Sequence, residues 1–421
     1  MEADDDDAYG SVTDWATDLD HADSSYNRHA HTIWRELLDR RCPVARSDRY
    51  HGMWVPLTHD LVSEVAYDTD HFTSRSVVVT RTPPQHLASS PVGGAPPITS
   101  DPPFHHEARR ILLPPFSPKR IAGWEPEVRR LCRERLDAAL AGGGALIDGA
   151  VDYAQHIPVA VIRRMLGLPE QDDDLFREFV HDLLESVNLP PAERHSAFER
   201  LDEYIDAQID LHRDEPGDDL ISYLLDVEIP GPDGTPEKLS GSHVGGAVVL
   251  LLIAGIDTTW SAIGSSLWHL ATHPADRRRL VAEPELMTTA VEEFLRAYAP
   301  VTMARLVAKD HDFHGCPMKT DEWVLLPFPA ANRDPAAFER ADEVLIDRDE
   351  NRHAAFGLGI HRCLGSNLAR LELRVAIEEF LARLPDFELA DPGDDGKGGD
   401  GVVWSVGQIR GLRALPLRVG R

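Results

Sequence analysis

The sequence predicts a mainly α-helical protein with small β-sheets at its edges, an α+β fold in a single domain. Three observations predict it. Apolar residues recur at three- and four-residue spacing through most long segments, strand-like runs are short and few, and no internal repeat or shift of composition divides the chain.

In chain order, residues 1–29 are polar and acidic, without the basic start and apolar core of a signal peptide, and are expected to form a disordered tail ahead of a folded domain at 30–421. Helical periodicity then runs through "HTIWRELLDRR", "VRRLCRERLDAALA", "DLFREFVHDLLESV", "AFERLDEYIDAQIDLHRDE", "LMTTAVEEFLRAYA" and "NLARLELRVAIEEFLARL". The strand candidates are "GMWVPLT", "EWVLLPF" and the final "LRALPLRV". Pro- and Gly-rich stretches at 81–103 and 228–241 break the pattern; the first is long enough to read as a binding loop, and 391–401 reads as a solvated turn.

The chain's 421 residues suffice for a large core, and 43 Lys and Arg against 71 Asp and Glu leave a net charge of −28. That balance argues against a nucleic-acid or anionic-membrane surface, so any basic docking patch must be local. The strongest apolar run, at 244–256, is too short to span a bilayer and suits a core helix. Cysteines 42, 132, 316 and 363 are scattered, with neither zinc-knuckle nor disulfide-scaffold spacing, which fits a reducing compartment. The expectation is a cytoplasmic monomer with no membrane anchor. The absence of C-x-x-C-H means that any haem would be held without thioether links.

The stretch "FGLGIHRCLG", 356–365, surrounds one thiol with glycines just before an amphipathic helix. A lone Cys is commonly a buried small hydrophobe. A zinc site finds only two ligands in His361 and Cys363, and nothing resembles the local signatures of a cysteine protease. A thiolate needs its charge stabilised by N–H groups or a helix N-terminus, and Cys363 stands where a helix would provide both; an axial thiolate on haem iron fits these features best. Glycines at 357, 359 and 365 would let the backbone approach something large and flat.

F-x-x-G-x-H-x-C-x-G, met by Phe356, Gly359, His361, Cys363 and Gly365, resembles the haem-binding signature of the cytochrome P-450 superfamily. The resemblance extends from about residue 30 to the C-terminus and implies the cytochrome P-450 fold, with Cys363 as the iron ligand of haem b (iron protoporphyrin IX). Phe356, Gly357 and Gly365 would line that cofactor. "DPPFHHEARR" looks like the family's D-P-P-x-H-x-x-x-R helix, which gives His105 and Arg109 as propionate partners; Arg305 and His361 match two more. Taken singly, each is more commonly a solvated surface residue.

"AGIDTT" at 254–259 places polar groups inside the apolar run. The residues alone allow a bent helix with Thr hydroxyls bonded back to carbonyls. The resemblance implies a proton relay in which Asp257 and Thr258 serve bound O2, with room left by Ala254 and Gly255. Glu293 and Arg296 match the family's E-x-x-R, and with Arg348 they are expected to form a structural network behind the haem.

The implied activity is O2-dependent monooxygenation. The chain contains no G-x-G-x-x-G after a strand, so electrons from NAD(P)H are expected through a separate ferredoxin and ferredoxin reductase. Arg110 and Arg362 are either a local docking patch or plain surface charge. The alternatives are a peroxide-driven peroxygenase and a haem-based gas sensor or carrier; neither needs the Asp257/Thr258 pair. By resemblance the substrate pocket would be lined by Val78, Val79, Leu250, Ile253, Ala254, Val301, Met303 and Ile409, with Gln408 orienting a polar group, which suits a mostly apolar small organic molecule. Ordinary core packing is the alternative for each.

Overall fold

The computed structural model describes residues 11–40, 42–80, 94–182, 191–230, 235–390, 401–405 and 407–420. Its helices are α1 (Ser24–Leu38), α2 (His59–Tyr67), α3 (Phe104–Leu112), α4 (Pro118–Ala122), α5 (Glu125–Leu140), α6 (His156–Leu166), α7 (Asp173–Val180), α8 (Pro191–Asp214), α9 (Leu220–Asp226), α10 (Gly241–Thr272), α11 (Pro274–Ala282), α12 (Met287–Ala297), α13 (Phe328–Ala331) and α14 (Ser366–Arg383). Its strands are β1 (Val44–Ser47), β2 (Met53–Pro56), β3 (Phe72–Thr73), β4 (Leu146–Asp148), β5 (Glu228–Pro230), β6 (Pro236–Lys238), β7 (Met303–Val307), β8 (His311–Phe313), β9 (Cys316–Met318), β10 (Trp323–Leu326), β11 (Phe387–Leu389), β12 (Val403–Trp404), β13 (Leu412–Ala414) and β14 (Pro416–Val419).

Helix α10 is the axis of the molecule. The Ser240 side chain caps it by accepting from the His243 N–H, and apolar residues on nearly all sides let it run 32 residues through the main core. The predicted apolar run at 244–256 is thus only the first half of a longer helix. By length and composition that helix could cross a bilayer, but most of its apolar window is buried against α6, α8 and α14. Gly255 permits one of these approaches, because a Cβ there would press on Ile162 of α6 at 3.2 Å.

The largest sheet runs in the order β1-β2-β10-β7-β3, antiparallel except for the β2–β10 pair. The C-terminal "LRALPLRV" is two strands. β13 pairs with β12, whereas β14 lies between β11 and β4, the change of sheet falling at Leu415 before Pro416. Of "DLFREFVHDLLESV", the α-helix ends at Val180, and residues 183–187 lie outside the described ones, as do 81–93 and 391–400 of the Pro- and Gly-rich stretches.

The expected tail boundary at residue 29 is corrected. Helix α1 begins at Ser24, with the Asp23 side chain accepting from the Ser25 N–H, and Leu19, Asp20, His21 and Tyr26 are all buried. Residues 1–10 lie outside the described ones, and of the acidic residues that suggested solvation Asp18 and Asp20 are counter-charges. Arg49, 5% exposed, bonds Asp18 and Asp20, and the Tyr50 hydroxyl donates to Asp20 at 2.6 Å. A buried cation needs such partners, so residues 18–20 are drawn onto the sheet, where Leu19 and Tyr26 join the core around Trp34 and Trp323.

Glu293 and Arg296 of α12 are wholly buried and paired at 2.8 Å, one turn apart. Arg296 also donates to the carbonyls of Asn332, Ala341 and Glu343, while Glu293 accepts from Arg348, Asn351 and the Leu345 N–H. Each charge is hydrogen-bonded on several sides, which offsets its desolvation, and together they pin the irregular chain from 332 to 351 behind the Cys363 loop.

Candidate functional site

The loop from Phe356 to Gly365 is shaped by its glycines. Gly357 and Gly359 take φ values of 69° and 68°, and a Cβ on Gly359 would overlap the Ala66 carbonyl at the end of α2. The turn brings the Cys363 N–H to the Phe356 carbonyl at 2.7 Å and leads directly into α14. The Gly365 N–H points at the Cys363 sulfur. Burial pushes the thiol above its ordinary value, while that N–H and the guanidinium groups of Arg109, Arg362 and Arg370 favour the thiolate. Cys363 is nonetheless accessible to a water-sized sphere. Deep placement and local accessibility agree if its side chain borders an internal space rather than bulk solvent. Phe356 packs alongside, with the Arg370 guanidinium 4.4 Å above its ring.

A second accessible spot lies in the middle of α10. Ala254 is exposed and Thr258 half-buried, although Ile256 and Asp257 between them are completely buried. The Thr258 hydroxyl donates to the Ala254 carbonyl at 2.8 Å, so the back-bonded arrangement is the one present. Asp257 faces the opposite way. Its Oδ1 accepts from Arg413 of β13 at 2.7 Å, and Arg413 also lies over the Trp260 ring at 4.5 Å.

Near the Cys363 loop four basic side chains converge. His105 and His361 meet edge to face with ring centroids 4.4 Å apart. Burial, with Arg305, His105 and Arg109 nearby, lowers His361 to about 2; burial with Arg109 and His106 lowers His105 to about 4; and burial lowers Arg305 to about 10. Neither ring nitrogen of His105 has a well-formed hydrogen bond. His361 Nε2 lies 2.8 Å from the Ser74 hydroxyl, and Arg109 donates to the Arg362 carbonyl at 2.6 Å. Asp101, which accepts from the Ser74 N–H and the Thr73 hydroxyl, is the carboxylate that opposes this charge. Arg109 and Arg305 carry positive charge against the one carboxylate of Asp101, which leaves the cluster short of negative charge, and the two histidines, lowered this far, stay neutral and offer ring N–H groups as donors. A ligand bringing two carboxylates next to a soft metal ligand fits that deficit, and haem is such a ligand.

The sequence matches the Cytochrome P450 family model over residues 47–397. The chain belongs to the cytochrome P450 family. Its relatives include the mycinamicin IV hydroxylase/epoxidase of Micromonospora griseorubida, 33% identical over 89% of this chain and 92% of that one, and the vitamin D(3) 25-hydroxylase of Pseudonocardia autotrophica, 37% identical over 77% of each. The crystal structure of CYP109E1 from Bacillus megaterium in complex with testosterone superposes with a TM-score of 0.83 at 29% identity, covering 94% of this chain and 100% of that one. Family membership makes this P450 a haem-dependent oxidoreductase of the monooxygenase type.

The expected pocket residues separate into two groups. Val78, Leu250, Ile253, Val301 and Met303 are half-buried, whereas Ile409 and Gln408 are buried. Ile409 bridges Val301, and the Gln408 amide donates to the Val77 carbonyl and the Met303 sulfur. Val79 is a correction: unlike the half-buried Val78, it is buried in the core cluster of Tyr26, Trp34 and Trp323. Sequence reasoning missed Ser74, Asp101 and Arg413. Asp101 stood inside a quoted motif, but no local pattern marks Ser74 or Arg413.

Proposed function

We propose that this P450 takes electrons from NAD(P)H through a separate ferredoxin reductase and ferredoxin, and transfers one oxygen atom of O2 to a mostly apolar organic substrate. The other oxygen leaves as water with two protons and two electrons. In this reading Cys363 is the axial thiolate, and His105, Arg109, Arg305 and His361 hold the propionates of haem b. The haem, when bound, supplies O2 activation assisted by the thiolate. The observation that carries the reading is the convergence of two guanidinium groups, Arg109 and Arg305, and two imidazoles, His105 and His361, beside a sulfur that faces the Gly365 N–H.

The remaining tasks fall to the chain. Gly365 and the three arginines hold negative charge on the Cys363 sulfur. Thr258, with its hydroxyl at the accessible stretch of α10, would orient a proton towards the substrate side, and Asp257, on leaving Arg413, would take up a proton from solvent water and pass it to that hydroxyl. Leu250, Ile253, Val301 and Met303 exclude water and receive the substrate's apolar body. Relatives named as a mycinamicin IV hydroxylase/epoxidase and a vitamin D(3) 25-hydroxylase support oxygen transfer to an organic molecule. For the redox partner, Arg110 and Arg362 are exposed close to the Cys363 loop, and Lys119 and Arg120 are exposed on α4, a local basic face in an acidic protein.

The test is the spectrum of the reduced protein under CO, followed by product formation with ferredoxin and reductase supplied. A strongly red-shifted Soret band that disappears in Cys363→Ser, with NAD(P)H-dependent product, is expected. A spectrum typical of histidine ligation, or turnover sustained by peroxide and not by the electron-transfer proteins, overturns the reading.

A further inference from the structure

On the face carrying the end of α2 and the β8–β9 hairpin, three potential ligands meet. One ligand atom each from Asp68, His71 and His311 lies within 4.8 Å of the other two, and all three residues are half-buried. The imidazoles of His71 and His311 stack with centroids 4.0 Å apart, and His71 Nδ1 is 2.7 Å from Asp68 Oδ2. We propose that Asp68, His71 and His311 form a binding site for one divalent ion of the zinc class. Two imidazoles and a carboxylate suit zinc better than calcium or magnesium, which take oxygen ligands.

The ligands are set on backbone that is already fixed. Asp68 closes α2, and its other oxygen accepts from the N–H groups of Asp70 and His71 at 3.1 and 3.0 Å. His71 precedes β3, and its carbonyl accepts from the Ala308 N–H at 2.7 Å. His311 opens β8, opposite Met318 of β9. Phe72 meets His311 and Phe313 edge-on, with centroids 6.1 and 5.8 Å away, giving the site an apolar floor. A fourth position open to water completes tetrahedral coordination, with small side-chain movements bringing the three ligands to bonding distance. Glu64 and His314, paired at 2.8 Å, stand further along the same two elements as a separate pair.

The site would clamp β3 to the β8–β9 hairpin, three residues before Ser74, whose hydroxyl contacts His361. The experiment uses the full-length haem-loaded protein, stripped with a chelator, desalted and titrated with zinc chloride against a competing fluorescent chelator, with bound zinc counted by elemental analysis. One zinc per chain is expected, with affinity at least about tenfold weaker in His71→Ala and in His311→Ala, and unchanged in His314→Ala. The CO spectrum of each variant verifies that its haem site is intact. Absence of stoichiometric zinc binding, or stoichiometric binding that both ligand variants keep, overturns the proposal.

Discussion

Arg413 of β13 and Asp257 of α10, 156 residues apart in the chain, form an ion pair at 2.7 Å in which the carboxylate is completely buried. The pair fixes the acid of the expected relay to the C-terminal sheet. Arg413→Met should leave that carboxylate uncompensated and lower stability by roughly 3–5 kcal/mol. Adding Asp257→Asn should recover part of the loss, so denaturant unfolding of the two single variants and the double variant should show non-additivity.

Asp257→Asn alone keeps the shape and removes the acid. Product formation with ferredoxin and reductase should fall by roughly 10²-fold or more, while the CO spectrum stays that of the parent. Unchanged product formation would remove Asp257 from the mechanism.

Arg305 is buried with its charge opposed mainly by Asp101. If it pairs with a haem carboxylate, Arg305→Ala loses a charge-assisted hydrogen bond of about 1.5–3 kcal/mol and should release haem to an apo-globin acceptor at least about tenfold faster. His361→Ala should act in the same direction.

Glu292 accepts from both Arg370 and His353. Burial alone would raise its carboxyl, but these partners outweigh it and lower the group to about 2 from 4.5. A carboxyl depressed in the folded state stabilises fully above about pH 4.5, and that contribution is lost as pH falls towards 2; at about 1.4 kcal/mol per unit it is roughly 3 kcal/mol. Acid unfolding of Glu292→Gln should therefore be less steep over pH 2–4.5, with lower stability at pH 7.

Charge reversal at Arg110 and Arg362 should slow ferredoxin-supported turnover by roughly tenfold at low ionic strength, less as salt rises, with chemical reduction unaffected. Equal turnover at every salt concentration would place the docking face elsewhere.

Much of the fold is legible because helices bury a face whose period is local. "VRRLCRERLDAALA" and "NLARLELRVAIEEFLARL" match α5 and α14 to within one residue at their C-terminal ends, while the glycines, read as letting the backbone approach something large and flat, include Gly359 set against the Ala66 carbonyl. The helix α6 has no clean period because it is buried nearly all round between α5 and α10. The acidic stretch at 18–23 misled for a different reason: a carboxylate reads as solvated unless its partner is known, and Arg49 lies about thirty residues away.

The sequence by itself determined the longer amphipathic helices, the glycine-rich character of the Cys363 loop and the E-x-x-R spacing, since each depends on neighbours within a few residues. Only the tertiary structure decided that Asp257 turns to Arg413, that Ser74 meets His361 across 287 residues, that Val79 faces the core and that His71 stacks on His311. Those relationships arise where packed elements bring distant charges and rings within a few ångströms, and the strength of an electrostatic contact depends on that final separation and burial rather than on any local pattern.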